Sequence, residues 1–289
     1  MDRRTREYLR GRFGDYYRSA TLSPPPAADA REWGHIPFTD GGTTMVRHRS
    51  LLELGDLDSF LANESPRHVY FSAARYDDPA TRGMDEKGWR GADLVFDLDA
   101  DHLPAIDPEA TSYGGMLRAC KGALENLLDI LDRDFGFETQ VVFSGSRGYH
   151  VHVRDPSVRD LDARARREVV DYVRGTDLDV EGLVTTTTER GTTRRVLRAD
   201  GGWGRRVHER LVALADDLRA MEDDEALARL QSYDGVGSGR AETLLTAFRE
   251  NPAAVERGNL EAGGPGVRVL VELLAERVVE AASSPVDEP

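Results

Sequence analysis

The sequence predicts an α+β fold, with a mixed strand-and-helix part over residues 1–180 and a helical part with a tail over 181–289. Two observations lead there. Short β-rich runs interleave with helical stripes up to about Asp177, and beyond it apolar residues recur almost only at helical spacing. The length of 289 residues, 39% of them hydrophobic, suits one large domain with an appendage or two modest domains. No internal repeat is present.

Residues 1–20 read as an amphipathic helix, with Tyr8, Leu9, Phe13, Tyr16 and Tyr17 near helical spacing. Ser23-Pro24-Pro25-Pro26 breaks it and reads as a surface linker. Strands are predicted at Trp33 to Phe38, Thr44 to His48 and His68 to Ala73, with a hairpin turn at Gly41-Gly42. Asp56 to Ala62 reads as a short helix. Ala92 to Ala100 follows as a strand. Tyr113 to Phe135 is a helix, because Met116, Leu117, Cys120, Leu124, Leu127, Leu128 and Leu131 make one stripe. Gly136 is its C-cap.

Val141 to Phe143 and Tyr149 to Val153 read as strands around a Gly-rich turn, and Arg159 to Arg174 as a helix. Thr185 to Thr188 is a polar tract, and Gly201-Gly202-Trp203-Gly204 reads as loop. Helices are then expected at Val207 to Met221, Glu225 to Gln231, Arg240 to Phe248 and Val267 to Ala282, before a tail over the last seven residues.

The charge is strongly acidic: 52 acidic against 38 basic residues, net −14. Only Lys87 and Lys121 are lysines, so nearly all positive charge is arginine. Abundant Asp with scarce Lys suggests adaptation to high salt. There, screening over ~3 Å at 1 M weakens repulsion from nucleic acid, so the net charge does not exclude such a partner. No apolar run approaches the ~20 residues that span a bilayer. The N-terminus has no apolar signal core, so no membrane partner and a cytoplasmic location are expected. The single cysteine, Cys120, excludes an internal disulfide and an all-cysteine zinc site.

The first motif with chemistry is the run Asp93-Leu94-Val95-Phe96-Asp97-Leu98-Asp99-Ala100-Asp101-His102. On a strand, Leu94, Phe96 and Leu98 face the core, and the aspartates share the other face with Val95. Same-face residues lie ~6–7 Å apart, and two such carboxylates can converge on divalent ions ~3.5–4 Å apart. Mg²⁺ or Mn²⁺, hard ions with oxygen ligands, are the expected cofactors. Asp97 and Asp99 are the candidate metal-binding, catalytic pair. Asp93 and Asp101 read as an exposed acidic face.

The second motif is Ser144-Gly145-Ser146-Arg147-Gly148-Tyr149-His150-Val151-His152. Glycines permit close backbone approach, and amides in such a turn form an anion-binding concavity. Ser144, Arg147, Gly148 and His150 are the candidate nucleotide-binding residues, through a hydroxyl, a guanidinium fork, backbone and an imidazole N–H. His150 and His152 fall on one strand face. A weaker feature, the turn at 235–241, resembles a helix-hairpin-helix phosphate contact but reads more simply as a glycine-rich helix connection.

Together these motifs, D-L-V-F-D-L-D-A-D-H followed by S-G-S-R-G-Y-H, resemble the catalytic small subunit of archaeal and eukaryotic DNA primases, in its haloarchaeal branch. The resemblance extends to the Tyr16-Tyr17 pair, the segment Arg31 to Phe38, Met45 to His48 and His68 to Ala74. It implies a mixed sheet platform with flanking helices and a helical subdomain. It also implies template-directed synthesis of short RNA or DNA primers for DNA replication from nucleoside triphosphates on single-stranded DNA, beside a large primase subunit. Leu22 and Trp33, if exposed, would be candidates for that subunit contact.

Two departures from the family pattern stand out. The family's third metal-binding aspartate, with its following R-L-x-G-S-L-H-G-like segment, is not found, and Asp287 is a poor substitute. The chain therefore reads as ending before that motif, with an incomplete metal set. The zinc knuckle of many archaeal relatives is reduced to His102 and Cys120, so no zinc is expected. The alternatives are a truncated or inactive primase chain that only binds partner and nucleic acid, or a metal-dependent phosphodiester hydrolase. A hydrolase needs no triphosphate cradle, which the second motif supplies.

Overall fold

The computed structural model describes residues 2–39, 44–103, 106–189, 191–260 and 265–282. The turn expected at Gly41-Gly42, Asp287 and the tail lie outside these residues. In chain order the first elements are α1 (Arg3–Ser19), β1 (Arg31–Ile36), β2 (Val46–Arg49), α2 (Leu51–Leu54), α3 (Leu57–Glu64) and β3 (His68–Tyr76). Then come β4 (Trp89–Ala92), β5 (Leu94–Asp99), α4 (Tyr113–Arg133), β6 (Thr139–Phe143), β7 (Gly148–Val153), α5 (Pro156–Arg159) and α6 (Ala163–Arg174). The last are β8 (Val184–Glu189), β9 (Thr192–Leu197), α7 (Gly202–Ala220), α8 (Asp223–Gln231), α9 (Ser238–Glu250), α10 (Pro252–Glu256) and α11 (Pro265–Ala282). The chain is thus α+β.

The chain divides into two compact units, Met1–Val95 with His152–Ala163, and Phe96–Val151 with Arg164–Pro289. The division expected at residue 180 falls inside the second unit.

In the first unit, an antiparallel sheet of order β2-β1-β3-β4 forms the platform, and α1 packs on α3. Helix α1 starts where Asp2 caps the amide of Thr5. Two expectations are corrected here. Trp33 is buried, 3% exposed, and donates its indole N–H to the Ala28 carbonyl at 2.9 Å, so it offers no partner surface. Leu22 is half-buried. Asp93 is not on an exposed acidic face: it precedes β5 and is 4% exposed. Its Oδ2 accepts from Arg31 at 2.7 Å and from Arg154 at 3.3 Å. Arg31, 1% exposed, also donates to the carbonyls of Pro26, Ser72 and Ala73. Burial pulls its guanidinium below the ordinary value, and the Asp93 charge opposes that.

Strands β5, β7 and β6 form a sheet of order β5-β7-β6. Helix α4 is capped by Ser112 at the amide of Gly115 and followed by Gly136 in the left-handed region at φ +68°. Its buried stripe includes Met116, Cys120, Leu124, Leu127 and Leu131 as expected, with Ala123 and Ile130 added and Leu117 and Leu128 half-buried. Helix α11 packs on α7, α4 and α9, and α8 pairs with α9.

Three local expectations also change. The helix predicted from Arg159 is two helices, because Asp155 caps an earlier turn with Pro156 at its start, and the chain leaves helical geometry at Asp160. The polar tract at Thr185 to Thr188 is strand β8, antiparallel to β9, as its β-branched residues favour. Of the loop expected at 201–204, residues 202–204 form the first turn of α7, with Gly201 as its N-cap. Trp203 is buried there and bonds the Tyr172 carbonyl at 2.8 Å.

Candidate active site

Strand β5 alternates as its sequence requires. Leu94, Phe96 and Leu98 are buried, Val95 is exposed, and Asp97 and Asp99 are half-exposed on its face. The strand ends at Asp99, and Ala100–His102 form a 3-10 turn. Asp101 therefore leaves the strand face, which corrects its reading as part of an exposed acidic stripe. Its Oδ2 accepts from an Arg147 guanidinium nitrogen at 2.7 Å, with the side chains 24% and 36% exposed.

The turn between β6 and β7 closes where the amide of Ser144 donates to the Gly148 carbonyl at 3.0 Å. Gly145 sits at φ +89°, a conformation that favours glycine. Gly148 is packed against β5: a Cβ there would run into the Leu98 carbonyl oxygen and lie 2.8 Å from Asp99 Oδ1. The amide of Ala100 donates to the Arg147 carbonyl at 3.3 Å. Further along β7, His150 Nε2 lies 3.4 Å from Asp97 Oδ1, with the two side chains 41% and 47% exposed.

The structure thus brings Asp97, Asp99, Arg147, Gly148 and His150 together. Ser144 is exposed at the mouth of the same turn. His152, predicted to share a face with His150, is a core histidine stacked on Phe71 at 6.2 Å between centroids. Tyr113, the first residue of α4, was not anticipated: its hydroxyl donates to the Ser146 carbonyl at 2.6 Å and pins the turn. Nothing in the spacing of two residues 33 apart signals that bond. In the turn at 235–241, Arg240 donates to the Gly235 carbonyl at 2.7 Å.

Among the described residues, no group of three His, Cys, Asp or Glu side chains is placed to hold a metal ion. Two half-exposed carboxylates still fit Mg²⁺ or Mn²⁺, because such ions keep several waters and take one or two carboxylates plus substrate phosphates. Cys120 is buried beneath the strand. Burial, and then the charges of Asp99 and Asp97, push its thiol up to about 11, so it stays protonated at neutral pH. Among the described residues, no helix is long and apolar enough to cross a membrane.

Comparison with known proteins bears on this geometry. The family model described as DNA primase small subunit matches residues 96–253, which include Asp97, Asp99 and the whole second motif. A DNA primase small subunit from Halorubrum lacusprofundi is 66% identical over 291 residues, covering 100% of this chain and 75% of its own. One from Natronomonas pharaonis is 57% identical over 299 residues, covering 100% and 76%. The relative from Methanococcoides burtonii is 37% identical over 303 residues, with the same coverage of 100% and 76%.

Proposed function

This chain belongs to the DNA primase small-subunit family, and we propose that the pair Asp97 and Asp99, with the turn at 144–150, is its nucleotidyl-transfer site for template-directed primer synthesis. The observation that carries the reading is the half-exposed face on which His150 meets Asp97 at 3.4 Å while Gly148 abuts Asp99. An acidic strand and a cationic turn share it. Two neighbouring carboxylates repel each other, and a triphosphate beside them would be repelled in turn. A divalent cation offsets both effects, so this arrangement suits a metal–triphosphate complex better than either ion alone.

Within that site the chain's own residues hold and orient the nucleotide. Arg147 offers a planar fork of donors, His150 an imidazole N–H, and Ser144 a hydroxyl, all directed at phosphate oxygens. Gly148 lets backbone pass close to Asp99. Asp97 and Asp99 would hold Mg²⁺ or Mn²⁺, which would lower the pKa of a primer 3′-hydroxyl and neutralise charge on the departing pyrophosphate.

The partners in this reading are a larger primase subunit, single-stranded DNA template and nucleoside triphosphates. The working medium is concentrated salt, consistent with the net charge of −14. The test is primer synthesis on single-stranded DNA with Mn²⁺ at molar KCl, comparing wild type with Asp97→Ala. Loss of several kcal/mol of transition-state stabilisation corresponds to a fall on the order of 10³-fold. Equal synthesis by both proteins would remove Asp97 from the site.

A further inference from the structure

We propose that Asp101 is a positioning residue: its carboxylate sets the Arg147 guanidinium in the orientation that receives the triphosphate of the incoming nucleotide. The inference rests on the reading of the 144–150 turn as the nucleotide site and deepens it.

The 3-10 turn after β5 holds residue 147 at both ends. The Ala100 amide takes its carbonyl at 3.3 Å, and the Asp101 carboxylate takes its guanidinium at 2.7 Å. Asp101 sits past the end of the strand, so strand alternation does not place it with Asp97 and Asp99. Its second oxygen, Oδ1, is buried, while Oδ2 faces Arg147 and accepts its hydrogen bond. A guanidinium has five N–H donors in a rigid plane. Asp101 engages one of its nitrogens and fixes the plane, leaving donors of the fork for phosphate oxygens.

An arginine already held loses less freedom when it grips a ligand. The pair is only 24% and 36% exposed, so salt screens it less than a surface pair. That matters in a chain whose charge make-up suits concentrated salt. The opposing possibility is competition, in which Asp101 occupies the fork and the triphosphate must displace it. The two predict opposite signs. Loss of a positioning group weakens nucleotide binding, and loss of a competitor strengthens it.

The experiment measures KM and kcat for nucleoside triphosphates during primer synthesis by the primase complex. It compares wild type, Asp101→Ala, Asp101→Asn, Arg147→Ala and the Asp101→Ala/Arg147→Ala double variant, with circular dichroism to confirm folding. Asp101→Ala is expected to raise KM roughly tenfold, the change that accompanies loss of one well-placed charge-assisted contact, with kcat within about twofold. Asp101→Asn is near-isosteric and should fall between; it carries the test if the alanine variant unfolds. In the Arg147→Ala background, Asp101→Ala should have no further effect. A lowered or unchanged KM for Asp101→Ala overturns the proposal, as does an undiminished effect without Arg147. If Arg147→Ala itself leaves KM unchanged, the assignment of the turn to nucleotide binding fails as well, which separates the two failures.

Discussion

His150 Nε2 lies 3.4 Å from Asp97 Oδ1, and both side chains stand about half-exposed on neighbouring strands β7 and β5. The contact joins the two motifs physically. One strand supplies carboxylates to a cation, and the turn leading into the next supplies donors to an anion. The chain needs only one helix, α4, between them to bring this about, because α4 covers a core that β5 shares: Cys120 on that helix reaches the Leu98 carbonyl, with Sγ 3.8 Å from the oxygen.

The close approach of turn and strand depends on Gly148. A Cβ at that position would collide with the backbone carbonyl of Leu98, which cannot swing aside as a flexible side chain could. Gly148→Ala is expected to abolish most primer synthesis, and overpacking of this kind typically costs ~1–3 kcal/mol of stability. Activity and thermal unfolding measured on the same preparation check both parts. Full activity with unchanged melting would show that the strands part more easily than their packing suggests.

Removing one partner of the buried pair Arg31 and Asp93 should destabilise the first unit, because it leaves a buried charge poorly compensated. Arg31→Met removes the closest cation from Asp93 and the guanidinium donor from the carbonyls of Pro26, Ser72 and Ala73. Breaking a buried pair from one side typically costs about 3–5 kcal/mol. Denaturant unfolding in concentrated KCl is the measurement, and the loss should persist there because buried pairs are little screened.

Tyr113→Phe removes only the hydroxyl that donates to the Ser146 carbonyl. The bond is exposed, so its loss should cost at most ~1 kcal/mol of stability. The sharper readout is nucleotide KM, expected to rise a few-fold as the turn loosens while kcat holds. An unchanged KM would mean that the turn is set by Gly148 and the Ala100 amide alone.

Much of this arrangement was legible from local pattern. The alternation of Leu94, Phe96 and Leu98 marked the core face of β5, and the leucine stripe marked α4. What the pattern could not separate was the fate of four aspartates in the same period-two register. Asp93 is buried because Arg31, 62 residues earlier, meets it, and Asp101 turns towards Arg147, 46 residues later. Period-two logic contains neither partner. The same holds for Trp33, whose burial depends on the Ala28 carbonyl and the packing of a whole sheet. The β8–β9 hairpin was different. Its signal, a run of β-branched threonines, was present in the sequence and was outweighed by the polarity of the tract.

Cys120 offers a test that needs no assay of synthesis. Burial, with the charges of Asp99 and Asp97 adding to it, raises its thiol from 9.0 to about 11. At pH 8 the folded protein should then react with iodoacetamide ~100-fold more slowly than the unfolded chain, because the thiolate is the nucleophile. The sign for stability follows. Between about pH 9 and 11 the unfolded chain has released this proton and the folded one keeps it, so this contribution to stability is intact below pH 9 and declines through that window. Cys120→Ala should flatten that decline. Equal alkylation rates before and after unfolding would contradict the buried, protonated thiol.

The most direct measurement is Mn²⁺ binding followed by electron paramagnetic resonance in the presence of a nucleoside triphosphate. Wild type is compared with Asp97→Asn and Asp99→Asn, each checked for folding. Wild type should bind the ion–nucleotide complex and each variant should bind it at least about tenfold more weakly, as for loss of a charged ligand. Binding that is unchanged in both variants would contradict the assignment of this strand to metal and nucleotide.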